Sequence, residues 1–317
     1  MHKVIILGGG GFLGTNIVKA VLKNSAEIIV FDYKLPENII KGVKYYQGKL
    51  SDFEKIQKII LAGNIDTVLH CVSTIIPSSG FEAYLSDVKQ VELPTLKLVD
   101  FCARKAIKFV FVSSGGTIYG MKSGYLIEDM PCAPISFYGL SKKKIEDIIL
   151  FYHCRFNMPY LIIRPSNPYG IGQNLFGNQG LISVLFGKLF KNERAIIYGD
   201  GKNLRDFIYI DDFVFYVSEL LQKGIKNEIL NIGSGKSYSI LQVIDIIQTV
   251  TNQKLQVVYD DARPSDVHEI RLDITRLNNL VPHKQIALDI GIKKYYEQIN
   301  NSAYFLCNDN PGYISSN

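Results

Sequence analysis

The feature that most constrains the fold is a glycine-rich turn directly after the first hydrophobic segment. Residues 4–7 form a short β-branched run, Gly8, Gly11 and Gly14 follow, and residues 12–22 then have helical spacing. Glycines between a strand and a helix permit a tight turn and let backbone N–H groups approach a pyrophosphate, which the helix dipole also favours. The N-terminal segment therefore predicts a dinucleotide site.

Strand-like and helix-like segments then alternate through the first half of the chain. We predict strands at residues 4–7, 27–31, 43–46, 67–70, 108–113 and 160–163, and helices at 12–22, 52–61, 81–104 and 137–156. Such alternation implies right-handed βαβ crossovers and an α/β fold with a Rossmann-type, doubly wound parallel sheet.

The pattern becomes irregular after residue 167, where Gly, Asn and Pro are frequent. Two isolated strands are predicted there, at 195–198 and 228–232. We expect a smaller α+β lobe over the carboxyl ends of the parallel strands, where ligands of such sheets bind. Residues 1–168 with about 206–236 are assigned to the dinucleotide-binding domain, 169–205 and 237–301 to the substrate-binding lobe, and 302–317 to a tail.

The composition narrows the class of protein. The 317 residues are 47% hydrophobic and 21% charged, which is typical of a folded globular chain. No stretch approaches the roughly 20 apolar residues that a membrane span needs, and no signal peptide precedes the first strand, so we expect a cytoplasmic protein. The five cysteines are scattered, which predicts no metal site. The net charge of +5 is spread along the chain, which predicts no nucleic-acid partner and suits an anionic substrate.

Asp32 ends the second predicted strand. A carboxylate there can accept hydrogen bonds from the hydroxyls of the adenosine ribose and would repel a 2′-phosphate, so NAD is favoured over NADP. Lys34 leaves NADP open.

A second motif places a phenol and an ammonium together. Tyr138 and Lys142 stand at i and i+4, on one face of a predicted helix. A nearby ammonium and the positive nicotinamide ring both favour a phenolate, so Tyr138 is predicted to act as a base near neutral pH, below its ordinary pKa of about 10.

These motifs and their order resemble the extended short-chain dehydrogenases/reductases, in the NAD-dependent epimerase/dehydratase branch typified by UDP-glucose 4-epimerase. The matching segments are GGGGFLG at 8–14, SSGGTIYG at 113–120, YGLSK at 138–142, IIRPSNPYGIGQ at 162–173, GDGKNLRDFIYIDD at 199–212, NIGSG at 231–235 and RPSD at 263–266.

The resemblance implies roles for particular residues. Tyr138 would remove a proton from a sugar hydroxyl while hydride leaves the same carbon, and Lys142 would tune Tyr138 and hold the nicotinamide ribose. The implied cofactor contacts are Gly8, Gly11, Phe12, Leu13, Gly14, Asp32, Leu50, Cys71, Tyr138, Lys142 and Pro165. The implied contacts to a nucleotide-diphosphate sugar are Thr74, Thr117, Asn167, Tyr198, Arg205, Arg263 and Asp266, with the two arginines on the diphosphate and Tyr198 on the base.

Several positions depart from the family pattern. The acidic residue that often meets adenine after the third strand is replaced by Lys49, with Asp52 nearby. The usual Ser or Thr that bonds the reacting hydroxyl is Gly115 here, so its role passes to Thr117, or to Ser114 as second choice. An Asn common in the family is Val91. Ile270 falls where a family side chain limits the pocket around C2 of the sugar.

The same region separates the reactions of the family. Dehydratases resemble one another in an Asp-Glu pair where this chain has Gly116-Thr117, so dehydration is disfavoured. We expect a 4-epimerase of UDP-hexoses or UDP-N-acetylhexosamines. The alternatives are an NAD(P)H-dependent reductase of an NDP-4-keto-6-deoxy sugar and, in a different class, a non-catalytic dinucleotide-binding sensor. The resemblance also implies a homodimer through helices 81–104 and 137–156, for which Leu96, Val99 and Ile149 are candidates.

Overall fold

A computed structural model describes residues 2–24, 27–262 and 267–301. Its strands are β1 (Lys3–Leu7), β2 (Glu27–Asp32), β3 (Val43–Gln47), β4 (Thr67–His70), β5 (Lys108–Val112), β6 (Tyr125–Leu126), β7 (Tyr160–Pro165), β8 (Asn167–Tyr169), β9 (Ala195–Tyr198), β10 (Leu204–Tyr209), β11 (Glu228–Ile232), β12 (Ser237–Ser239), β13 (Val257–Asp260) and β14 (Arg271–Leu272).

The helices connect and cover these strands. They are α1 (Phe12–Val21), α2 (Phe53–Gly63), α3 (Phe81–Asp87), α4 (Leu93–Arg104), α5 (Phe137–Phe156), α6 (Leu181–Phe190), α7 (Ile210–Gln222), α8 (Ile240–Thr251), α9 (Thr275–Leu280) and α10 (Leu288–Asn301), with a π-helical turn at Val88–Glu92 between α3 and α4.

The central sheet has seven strands in the order β11-β7-β5-β4-β1-β2-β3, and every neighbouring pair is parallel. The predicted Rossmann-type sheet is confirmed. The strand predicted as isolated at 228–232 is instead β11, which pairs with β7 at the edge of this sheet. The chain runs outward in both directions from β1 and β4, so a crevice opens at their carboxyl ends, where ligands of such sheets bind.

Alternate residues of the central strands face opposite layers of helices. Val4 and Ile6 of β1 belong to one hydrophobic cluster, together with α1 and α7, whereas Ile5 and Leu7 belong to a second cluster, together with α2, α4 and α5. Both faces of the sheet are therefore buried, which is why its strands read as continuous hydrophobic runs.

Smaller sheets build the region above the carboxyl ends. β10 pairs in parallel with β8 and antiparallel with β12, while β13 pairs with β9 and β14 with β6. A third hydrophobic cluster joins β6, β14 and the loop after β5, and consists of Ile118, Tyr119, Leu126, Val267, Ile270 and Leu272. Most of these strands are only two or three residues long, too short for a periodic pattern in the sequence.

The segment predicted as one helix at 81–104 contains the π-helical turn. The Leu93 N–H donates to Val88 O, five residues earlier, and the next residue is Pro94, which has no N–H to donate. The helix continues, but with one wider turn between α3 and α4.

Two side chains proposed for a dimer interface lie in the core of the single chain. Val99 and Ile149 are both fully buried in the second cluster, because α4 and α5 pack on the sheet with these faces. None of the described helices is long and apolar enough to cross a membrane.

Candidate active site

A cleft of about 700 Å³ opens at the carboxyl ends of β1 and β4. Its walls come from the glycine turn after β1, the loop after β4, the loop after β5, the first turns of α5 and the segment from β7 to α6. The cleft thus lies where the strand order predicts a ligand site.

The backbone of the glycine turn packs tightly against itself where Gly14 meets Gly8. Gly8 has a φ of +79°, and a Cβ on Gly14 would lie 2.1 Å from Gly8 O. No side chain fits at Gly14, so α1 begins against the turn, and its first residues, Phe12–Gly14, line the cleft. Asp32 supports the turn, because its Oδ2 accepts from Gly10 N at 2.8 Å.

Most residues expected around the cofactor line this cleft. They are Gly8, Gly11, Phe12, Leu13, Gly14, Cys71, Tyr138, Lys142 and Pro165. Asp32 stands behind the glycine turn, whereas Leu50 is buried in the second hydrophobic cluster and is not among the described lining residues. Burial raises the pKa of the Cys71 thiol to about 12, so this side chain is a neutral wall and not a nucleophile.

Helix α5 delivers Tyr138 and Lys142 to the cleft. The helix begins after Ser136, whose hydroxyl accepts from Gly139 N at 3.1 Å. Lys142 Nζ lies 5.5 Å from the centroid of the Tyr138 ring and donates to Val112 O at 3.2 Å. The ammonium therefore rests over the face of the phenol ring and against the end of β5.

In the chain by itself, the pKa of Tyr138 lies above its ordinary value. Burial raises it to about 12, and a hydrogen bond from Ser114 acts in the opposite direction. Burial also lowers the pKa of Lys142 to about 8, and nearby Asp87 partly offsets that effect. In the chain by itself desolvation dominates, and the Lys142 ammonium bonds a carbonyl. That Lys142 and the nicotinamide ring together bring Tyr138 below its ordinary pKa stays a prediction.

Three hydroxyl groups form a hydrogen-bonded series beside Lys142 in the cleft. Thr117 Oγ1 donates to Ser114 Oγ at 2.9 Å, and Ser114 is in turn hydrogen-bonded to the phenol of Tyr138. A Cβ on Gly115 would lie 2.6 Å from Leu272 Cδ1 and 2.9 Å from Arg164 O, so no serine or threonine fits there. The packing of β14 explains why Gly115 carries no hydroxyl, and Ser114 is the residue that reaches Tyr138.

The far side of the cleft carries Asn167 and Arg205. Asn167 Nδ2 donates to Asp206 O at 2.7 Å, and Arg205 Nη1 donates to Leu204 O at 2.9 Å. The Asp206 carboxylate accepts from Ser234 N at 2.7 Å, so β10 and the turn after β11 hold one another in place.

Two other expected substrate contacts lie elsewhere. Thr74 is not among the described lining residues, and its hydroxyl donates to Asp87 Oδ1 at 2.6 Å. Tyr198, at the end of β9, is also absent from the described lining and pairs in register with Asp260 of β13. Arg263 and Asp266 lie outside the described residues.

The lining contains residues that the motifs did not indicate. Four side-chain amides come from the stretch between β8 and α6: Gln173, Asn174, Asn178 and Gln179. The abundance of Asn, Gln and Gly at 171–180 was the available signal. Within residues 2–24, 27–262 and 267–301, the charged side chains that line the cleft are Lys142 and Arg205, with no Asp or Glu.

Comparison with known proteins decides the family. The model of the NAD-dependent epimerase/dehydratase family matches residues 4–233. The chain belongs to this family.

Two curated proteins that are similar to this chain cover nearly its whole length. One, from Methanocaldococcus jannaschii and provisionally named a UDP-glucose 4-epimerase, is 33% identical over 94% of this chain and 99% of its own length. A dTDP-4-dehydro-6-deoxyglucose reductase from Escherichia coli is 30% identical over 93% and 97%. The crystal structure of a UDP-glucose 4-epimerase from Thermotoga maritima with UDP-glucose has a TM-score of 0.87 at 26% identity, covering 94% of this chain and 99% of the other.

Membership makes this chain an NAD-dependent enzyme, as the sequence predicted. Its own residues fit the cofactor, because the first residues of α1 line the cleft and Asp32 stands at the end of β2 beside the glycine turn.

Proposed function

We propose that this chain is a 4-epimerase of UDP-hexoses, including N-acetylated ones, and that it acts by transient oxidation at C4. The observation that carries the proposal is the cleft itself. It combines the hydroxyl series Thr117–Ser114–Tyr138 with two cationic side chains and, among its described lining residues, no carboxylate.

Each of the three hydroxyl groups has a role in the proposed reaction. Tyr138 takes the proton of the C4 hydroxyl and gives it back after the sugar has turned over. Ser114 and Thr117 hold the phenol and the reacting oxygen in line by hydrogen bonds. When bound, NAD supplies a hydride acceptor at C4 and a positive ring beside the phenol. Because Tyr138 by itself has a pKa of about 12, that positive ring is required to make the phenolate accessible near neutral pH.

The charges of the cleft support a diphosphate substrate and disfavour dehydration. Arg205 offers the planar donors that phosphate geometry suits. A 4,6-dehydratase needs an acid and a base besides the tyrosine, yet no described lining residue is an Asp or a Glu. We propose that Arg205 holds the diphosphate and Asn167 the adjoining part of the sugar.

A reductase of an NDP-4-keto-6-deoxy sugar is the second candidate, and the 30% identical Escherichia coli relative favours it. The same tyrosine and hydroxyls would serve in both reactions. The two differ in the fate of the cofactor, because an epimerase regenerates NAD in every turnover and a reductase consumes NAD(P)H.

The experiment that tests the proposal uses the purified chain without added reductant. We expect bound NAD to be released on denaturation, and we expect UDP-glucose and UDP-galactose, or their N-acetylated counterparts, to interconvert. Tyr138→Phe is the matched control, because it removes only the phenol oxygen. NAD(P)H consumption on an NDP-4-keto-6-deoxy sugar, with no interconversion, would decide for the reductase. A chain that binds NAD and turns over neither substrate would be the non-catalytic sensor.

We also propose that the enzyme is a homodimer through the outer faces of α3, α4 and α5. These helices expose large apolar side chains, at Phe81, Leu85, Leu93 and Phe151. Val99 and Ile149 face the core instead. Sedimentation of the full chain should give twice the chain mass, and a monomeric species at micromolar concentration would contradict the proposal.

A further inference from the structure

A buried carboxylate lies behind α5, the helix that carries Tyr138 and Lys142. Asp87, the last residue of α3, is 1% exposed. Its Oδ1 accepts from Thr74 Oγ1 at 2.6 Å, and its Oδ2 accepts from Ser141 Oγ at 2.7 Å. Burial of a carboxylate costs free energy, so a buried carboxylate with two hydrogen bonds at this position indicates a structural or functional role.

The two partners of Asp87 belong to two walls of the site. Thr74 lies in the loop after β4, whose residues Ser73 and Ile76 line the cleft. Ser141 immediately precedes Lys142 on α5. Asp87 therefore joins that loop to the helix turn that presents the cationic group.

The charge of Asp87 acts on Lys142. Burial lowers the pKa of Lys142, and Asp87 raises it more than Cys71 or Glu146 does. His70, in the end of β4, is held neutral by burial and by Lys142 itself, with a pKa of about 3.

Two further titratable groups face Asp87. Glu92, on the π-helical turn, has a pKa raised by burial and by Asp87, and Lys144 of α5 acts on Glu92 in the opposite direction. Tyr138 has a pKa raised mainly by burial and in smaller part by Asp87. Ser141, the residue next to Lys142, donates to Asp87 at 2.7 Å, and a hydrogen bond from Ser141 also acts on the pKa of Glu92.

We propose that Asp87 is a positioning residue that keeps Lys142 an ammonium and fixes α5 against the Thr74 loop, so that Lys142 can hold the ribose of the nicotinamide nucleotide. The inference rests on the role proposed above for Lys142. It does not depend on which sugar is the substrate.

The negative charge of Asp87 determines the direction in which the pH dependence of dinucleotide binding should move. Lys142 loses its proton as the pH rises through about 8, and binding of the dinucleotide weakens with that loss. Removal of the negative charge of Asp87 lowers the pKa of Lys142. The alkaline decline of binding therefore moves to lower pH, by about one unit for a charge at close range.

The test compares Asp87→Asn with the unaltered chain. The amide has nearly the same shape, and the hydroxyls of Thr74 and Ser141 can each donate or accept, so both hydrogen bonds can persist. NADH binding is measured from pH 6 to 9.5 by the fluorescence of NADH, after removal of bound nucleotide. The chain has no Trp, so excitation of the protein does not interfere.

We expect the midpoint of the alkaline decline to fall by about one pH unit, which is up to about tenfold weaker binding near pH 8.5 and nearly unchanged binding at pH 6. Asp212→Asn is the matched control. Asp212 is a buried carboxylate whose Oδ2 accepts from Ile286 N at 2.8 Å, and it lies outside the described lining of the cleft. Its replacement should leave the midpoint in place.

An unshifted midpoint in Asp87→Asn would overturn the inference. If Asp87→Asn fails to fold, Asp87→Ser removes the same charge in a smaller side chain and is judged by the same midpoint. Failure of the unaltered chain to bind NADH at any pH would instead refute the dinucleotide site on which the proposed function rests.

Discussion

Replacement of Ser114 by Ala should impair turnover more than replacement of Thr117 by Val. Ser114 bonds the phenol of Tyr138, whereas Thr117 bonds only Ser114, at 2.9 Å. A hydrogen bond to a charged group contributes about 1.5–3 kcal/mol and one between neutral groups about 0.5–1.5 kcal/mol. At about 1.4 kcal/mol per factor of ten, kcat should fall by about 10- to 150-fold in Ser114→Ala and by about 2- to 10-fold in Thr117→Val.

The pH dependence separates these roles from simple loss of packing. The Ser114 hydrogen bond lowers the pKa of Tyr138, so Ser114→Ala raises that pKa further and moves the acid limb of kcat to higher pH. Thr117→Val leaves the limb nearly in place. The assay is interconversion of UDP-galactose and UDP-glucose from pH 6 to 10, with NADH binding as the control for an intact cleft. A larger loss in Thr117→Val than in Ser114→Ala would refute the order of the hydroxyl series.

Three further changes test other parts of the structure. Gly14→Ala places a Cβ 2.1 Å from Gly8 O, and at about 1–3 kcal/mol for such overpacking NADH should bind about 5- to 150-fold more weakly, so unchanged affinity would contradict the geometry of the turn. Gly115→Ser, whose Cβ would lie 2.6 Å from Leu272 Cδ1, should lower the thermal midpoint and reduce turnover; a more active variant would show that β14 does not set this position. Arg164→Met leaves Glu146 buried without its partner at 2.7 Å and should cost about 3–5 kcal/mol in denaturant unfolding, whereas the double change with Glu146→Leu should recover much of that loss.

Long, periodic elements were predictable from the sequence because each carries its own pattern. The parallel strands that are buried on both faces read as hydrophobic runs, and the helices at 12–22 and 137–156 have clear spacing. The strand at 228–232 was detected, but its place beside β7 was not, since a strand's partner depends on contacts distant in the chain. The π-helical turn before Pro94 lies inside a regular helical pattern and changes it by one residue only.

In the candidate site too, local motifs were predictable from the sequence and contacts between distant residues were not. The glycine turn and the pair Tyr138 and Lys142 are local motifs, and the cleft that they share follows from the strand order. The absence of a hydroxyl at position 115 depends on the packing of Leu272 against Gly115, more than 150 residues away in the chain. Asp87 carries no motif, and its contacts are visible only once α3, α5 and the loop after β4 are packed together.

The measurement that tests the central claim most directly follows the hydrogen at C4 of the sugar. UDP-galactose deuterated at C4 is incubated with the purified chain in ordinary water, without added cofactor, and the UDP-glucose formed is examined by NMR. The account predicts that the product keeps its deuterium, and that Tyr138→Phe lowers the rate by about 10²- to 10⁴-fold. Exchange of the deuterium for solvent hydrogen, or undiminished turnover in Tyr138→Phe, would contradict it.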